Sequence, residues 1–172
     1  MSNVRDMLEI AGRGNTPGAD IRDQLRRDHD AALADLEALR AETAEQRCHT
    51  ILRRLRRSWV IHALAEETVV YRALEGAQPS VESKTRADER FIEHELVEGL
   101  FEKLSRCRPG SLEWQARINV AKSLILRHVQ TEQDEMFAQL GKHFDTAALC
   151  EMGRRFELAR DKLRLLEEAK AA

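Results

Sequence analysis

The chain has little of what most fold and function classes require. No apolar run approaches the roughly 20 residues that span a bilayer. The opening stretch, MSNVRDMLEIAGRGNTPGAD, holds no signal-peptide hydrophobic region. A cytoplasmic protein without a membrane partner is the expectation. The three cysteines, Cys48, Cys107 and Cys150, are an odd number without CxxC spacing. They read as reduced thiols, not as a disulfide frame or a zinc site. Net charge is small: 28 basic against 30 acidic residues give −2, so no strong field draws nucleic acid or anionic lipid. The run RRLRR at 53–57 lacks interleaved aromatics and reads as a solvated helix face. Aromatics make up 5% of the 172 residues, with three prolines and eight glycines. That composition favours helices over a β-sandwich, and the length suits one domain with a buried core.

What is present is helical periodicity. Residues 1–19 read as an N-terminal arm that contains Pro17-Gly18. Asp20 is a good N-cap, and Leu25, His29, Leu33, Leu36 and Leu39 mark a first helix to about Gln46. A second helix runs from near Cys48 to Leu74 with Ile51, Leu55, Trp59, His62 and Glu66 on one side, and Gly76 is placed to end it. Pro79-Ser80 opens a third, striped by Ala87, Phe91, His94, Phe101 and Leu104. After RPGS at 108–111, Ser111 caps a fourth, striped by Ile118, Ala121, Ile125, His128, Glu132, Met136 and Leu140. Asp145 caps a last, shorter helix to about Glu168. Short loops between four long helices imply an all-α, up-down four-helix bundle over 20–142. A C-terminal helix, within 143–172, packs on it.

The stretch IHALAEETVVY at 61–71 is composed like a buried helix, yet His62 and Glu66 share one face. An unpaired carboxylate in a core is expensive. Each long helix carries one histidine on its apolar stripe, at intervals of 62−29 = 33, 94−62 = 32 and 128−94 = 34. In an up-down bundle, residues near the middle of each helix meet at one height. His29, His62, His94 and His128 should therefore form one layer. HALAE (His62, Glu66) and HVQTE (His128, Glu132) repeat H-x-x-x-E, with imidazole and carboxylate one turn apart. Two cations would neutralise two inward carboxylates and engage four imidazole lone pairs.

One His, then HxxxE, then His, then HxxxE resembles the hemerythrin-like HHE cation-binding family. RRDHDAAL, HALAEETVVYRAL, EHELVEGLFEKL and HVQTEQDEMF around the four histidines fit it. The tail GRRFELARDKL resembles the extra C-terminal helix of bacterial members. The resemblance implies two non-haem iron ions. His29 and His62 would bind one, His94 and His128 the other, with Glu66 and Glu132 bridging. Zinc and manganese suit the same donor types. The small molecules implied are O2, NO or H2O2, bound by a monomer or homodimer. Oxygen-carrying members have a fifth histidine; one turn from His94, this chain has Arg90 and Glu98. Arg90 cannot ligate, and Glu98 stands as a further candidate ligand. That departure favours an open, reactive site over reversible oxygen transport.

Blander readings cover the remaining residues. Glu67, Asp134 and Glu135 read as exposed neighbours, and His49 and His143 as surface residues. Trp59 and Trp114 read as packing residues. Tyr71 reads as core, with a supporting role beside the metals as the lesser alternative. Three functions share this ligand set: a sensor or detoxifying protein, a di-iron enzyme, and a metal-storage or structural bundle. The enzyme would be catalase- or oxidase-like, or would repair iron centres.

Overall fold

The computed structural model describes residues 18–171; residues 1–17 of the expected arm lie outside them. Helix α1 is Ile21–Ala41. Helix α2 runs through three consecutive segments, Glu45–Glu66, a π-helical turn Glu67–Tyr71, and Arg72–Ala77. Helix α3 is Val81–Leu104. Helix α4 repeats the α2 pattern with Leu112–Thr131, a π-helical turn Glu132–Met136, and Phe137–His143. Helix α5 is Thr146–Ala171. The described residues are all-α: α1 packs on α2 and α4, and α3 on the same two, while α5 lies over α1 and α2.

Local chemistry sets the boundaries. Asp20 caps α1 through the Arg22 amide at 2.9 Å, an interaction worth about 1 kcal/mol. Ser80 caps α3 through the Ser83 amide, and Ser111 caps α4 through the Trp114 amide. Three boundaries differ from the sequence reading. Helix α1 stops at Ala41, not near Gln46, because the Glu42 carboxylate accepts the Thr43 and Ala44 amides at 2.8 Å each and turns the chain. Gly76 lies inside α2, where open space surrounds it, and Gln78 is the cap. The last helix is not the short one: at 26 residues it exceeds α1 with 21 and α3 with 24.

The interior is two apolar clusters separated by a polar layer. One holds Leu36, Leu52, Leu55, Trp59, Phe101, Leu104, Trp114 and Ile118. The other holds Leu25, Val70, Tyr71, Ala87, Met136, Leu140, Met152 and Phe156. Helices α1 and α3 pass from the second cluster to the first, and α2 and α4 return. The four histidines stand where each helix crosses between them, which is why near-equal spacing in the chain becomes one height in the fold. Helix α5 is held tightly against the chain before α1: a Cβ on Gly153 would lie 2.0 Å from the Ala19 carbonyl oxygen.

Candidate metal centre

All six residues of the four-helix pattern are buried together. His29, His128, Glu66 and Glu132 have no exposure, and His62 and His94 have 3% and 4%. The His29 and His62 Nε2 atoms are 3.2 Å apart. His29 Nε2 is 3.3 Å from Glu132 Oε2, and His128 Nε2 is 3.2 Å from Glu132 Oε1. His94 Nε2 is 3.4 Å and His62 Nε2 3.8 Å from Glu66 Oε2. Two groups have ligand atoms within 4.8 Å of one another: His62, Glu66, His94 and His128; and His29, His128 and Glu132. These groups share His128 and do not divide as His29–His62 and His94–His128. The ring centroids do: those two pairs are both 4.8 Å apart.

The outer edges of the rings are fastened. His62 Nδ1 lies 3.4 Å from Asp28 Oδ2, and Arg160 holds the other Asp28 oxygen at 3.0 Å. His94 Nδ1 lies 2.9 Å from Glu67 Oε1. His128 Nδ1 lies 3.2 Å from Glu93 Oε2, and Glu93 is gripped by Arg90 at 2.6 Å and Arg127 at 2.8 Å. A carboxylate on Nδ1–H fixes the tautomer and leaves the Nε2 lone pair facing the interior, the arrangement of metal-ligating histidines. Trp59 packs on His62, His94 and His128 with centroids 5.6–5.7 Å away. The Tyr71 hydroxyl lies 3.0 Å from both Glu66 Oε2 and Glu132 Oε1 and shares its one proton between them. The π turn brings residue 71 nearer to residue 66 around the helix axis than an α-helix would.

The inward atoms are short of partners. Glu66 Oε1, Glu132 Oε2, His94 Nε2 and His128 Nε2 are buried without a hydrogen bond. Native interiors leave few such atoms, and each calls for a ligand. Burial and the neighbouring Glu66 charge push Glu132 well above the usual carboxylate range. Burial also works against ionised Glu66, but the close His94 imidazole and the other imidazoles around it bring it below that range. On His94 burial is outweighed by the Glu66 and Glu67 carboxylates beside it, which raise it to about 9. Burial and the nearby His62 hold His29 well below the ordinary imidazole value, and burial lowers His128. Burial of Glu93 is overcome by His128 and Arg90, which bring it down to about 2. The donor set fits a metal cation.

Residues 20–140 match the hemerythrin HHE cation-binding domain. The chain belongs to that family. A DNA nickase from Nostoc sp. (strain PCC 7120 / SAG 25.82 / UTEX 2576) is 22% identical over 160 residues, covering 88% of this chain and 44% of that protein. The chain thus spans less than half the length of that relative. No solved structure matches it. For a hemerythrin-family domain the expected helix order and bundle are present, and the buried His/Glu layer is where a cation fits.

Several residues fall elsewhere than expected. Glu98 is not in the cluster: its side chain is 46% exposed and faces Arg56 at 3.8 Å. Glu67 is no exposed neighbour, since it is bonded to His94. His49 and His143 are half-buried near helix ends, outside the cluster. Asp28, Glu67 and Glu93 were missed as ring-orienting residues. A signal for two of them exists: the halves of the bundle repeat at an offset of 65 or 66. That offset relates Asp28 to Glu93 (93−28 = 65), His29 to His94 (94−29 = 65), His62 to His128 (128−62 = 66) and Glu66 to Glu132 (132−66 = 66). The repeat is imperfect. Where the first hairpin has Glu67 and Tyr71, the second has Gln133 and Phe137. Gln133 is exposed, and His29 Nδ1 is left buried without a hydrogen bond.

Proposed function

We propose that the chain holds a carboxylate-bridged pair of non-haem irons and that this pair engages O2, NO or peroxide in sensing or detoxification. His29, His62, His94 and His128 supply imidazole nitrogens, and Glu66 and Glu132 supply carboxylates that can each serve two ions. When bound, iron supplies Lewis acidity and one-electron redox chemistry. The chain's own contribution is positioning. Asp28, Glu67 and Glu93 orient three rings, Tyr71 holds both carboxylates, and the apolar clusters keep water from the layer. The observation that carries the reading is the set of buried, partnerless Nε2 and Oε atoms converging on one layer.

An enzymatic role is the second reading, favoured by the short donor set. Arg90 is committed to Glu93 and Glu98 to Arg56, so six residues would serve two ions and leave positions for exchangeable ligands. A nickase role has less support in this chain. In the 53–57 run, Arg54 pairs with Asp35, Arg56 with Glu98 and Arg57 with Glu168, which leaves little free charge for phosphates.

The test is metal analysis of anaerobically purified protein, then spectra after O2, NO and H2O2. About two irons per chain and a reaction with at least one of the three are expected. A preparation that retains no iron after reconstitution refutes the centre. Tight zinc with indifferent iron transfers the case to a structural role.

A further inference from the structure

One cavity ends at Tyr71, whose hydroxyl meets both buried carboxylates. It lies between the end of α2, the start of α3 and the π turn of α4, with a volume of about 90 Å³. A water needs roughly 10–15 Å³ on this measure, so a molecule of a few heavy atoms fits. Its inner wall is Tyr71, which is 4% exposed. The hydroxyl of the same residue is bonded to Glu66 and Glu132. Ala87 and Met136 line the middle, and Ser83 stands nearer solvent.

The lining has a chemical preference. Gln139 Oε1 is buried there without a hydrogen-bond partner, an unmet acceptor that favours a donor-bearing guest over an apolar gas. Around the cavity, Arg86 is taken by Glu82 and Arg90 by Glu93, each at 2.6 Å. Glu75 and Glu135 line it with no ion pair of their own among the described residues. The unbalanced charge is negative and repels anions.

We propose that this cavity admits a small, neutral, hydrogen-bonding molecule of hydrogen-peroxide size to the metal layer, with Tyr71 as its inner door. It rests on the metal reading above and selects among the ligands that reading leaves open. A larger groove of about 550 Å³, between α1, α2 and α5, meets His62 beside Asp28. It thus reaches the fastened outer edge of that ring, not the carboxylates.

The test uses the full chain, with metal content measured first. Ser83→Trp narrows the outer cavity and Ala87→Phe fills its middle; Arg53→Trp obstructs the other groove. With H2O2 on iron-loaded protein in stopped flow, the first two should slow reaction roughly tenfold, equivalent to about 1.4 kcal/mol on the barrier. Arg53→Trp should leave the rate alone. Azide, an anion, should bind faster as salt rises, because salt screens Glu75 and Glu135. A second readout needs no turnover. Tyr71 is the single tyrosine, so 3-fluorotyrosine labelling gives one ¹⁹F resonance, which H2O2 should shift in zinc-loaded protein but not in its Ala87→Phe variant. Should Ala87→Phe fail to fold, Ser83→Trp carries the comparison. Unchanged rates in metal-replete Ser83→Trp, equal slowing by Arg53→Trp, or azide binding that slows with salt would overturn the cavity assignment alone. Failure to bind metal would overturn it together with the metal reading.

Discussion

Neutralising Glu93 is the sharpest probe of how the centre is built. Glu93→Gln keeps the shape and an acceptor oxygen for His128 Nδ1, but removes the charge. That charge is strongly used: it sits 3.2 Å from His128, 2.6 Å from Arg90 and 2.8 Å from Arg127, and its carboxyl is brought down to about 2. Losing an outer partner of a metal-bound histidine typically costs 10–100-fold in affinity, or about 1.4–2.7 kcal/mol. The upper half of that range is expected here, because Arg90 is also left without its carboxylate, with 13% of its side chain exposed. Glu67→Gln should cost about as much, since its bond to His94 is short at 2.9 Å. Asp28→Asn should cost least, with its 3.4 Å contact to His62. Glu98→Gln should cost nothing. The assay is competition for Fe(II) or Zn(II) against a chromophoric chelator under argon. If Glu98→Gln weakens metal as much as Glu93→Gln, the carboxylates on the rings have no special role and the reasoning fails.

Other outcomes are expected alongside this one. His62→Ala or Glu132→Ala should strip metal and remove the stabilisation that bound metal confers, about 2.7 kcal/mol at a hundredfold excess over Kd; changes at His49 or His143 should leave metal content unchanged by elemental analysis. Stability of the metal-free protein should fall between pH 6.5 and 9 in denaturant titrations. In that window the raised His94, at about 9, holds a proton in the folded state that the unfolded chain has released, and Glu132, raised above the usual carboxylate range, acts in the same direction. Metal-loaded protein should follow the opposite slope, because metal displaces those protons and binds better as pH rises. Gly153→Ala should destabilise by about 1–3 kcal/mol in the same titrations, since its Cβ would be 2.0 Å from the Ala19 oxygen and 2.6 Å from Gln24 Nε2.

Much of the site layer was legible because it rests on period and spacing. His29, His62, His94 and His128 sit on apolar stripes at near-equal intervals, and geometry forces such positions to one height. What escaped depends on features without a periodic signature. Glu67 and Glu93 look like ordinary surface charges in a chain with 34% charged residues; only the fold aims them at Nδ1 atoms. The end of α1 was misplaced because Glu42 makes a local hydrogen-bonded turn that competes with helix propensity. The π turns after Glu66 and Thr131 carry no composition rule, so helical spacing leaves room for Tyr71 beside the metals without requiring it to meet both carboxylates. Glu98 was overvalued because a helical face fixes direction only to within a turn, and Arg56 offered it a partner outside.

The offset of 65 or 66 residues sets two similar hairpins facing each other across the layer, and they differ at two positions beside it. Glu67 has its counterpart in Gln133 and Tyr71 in Phe137. The centre therefore has two distinguishable addresses on a nearly symmetric frame. A pair of substitutions in one hairpin can alter one address while the other is left as it was. Gln133→Glu with Phe137→Tyr would write the first hairpin's features onto the second. On such a frame the surroundings of one half of the layer change by an exchange between hairpins, without the bundle being rebuilt.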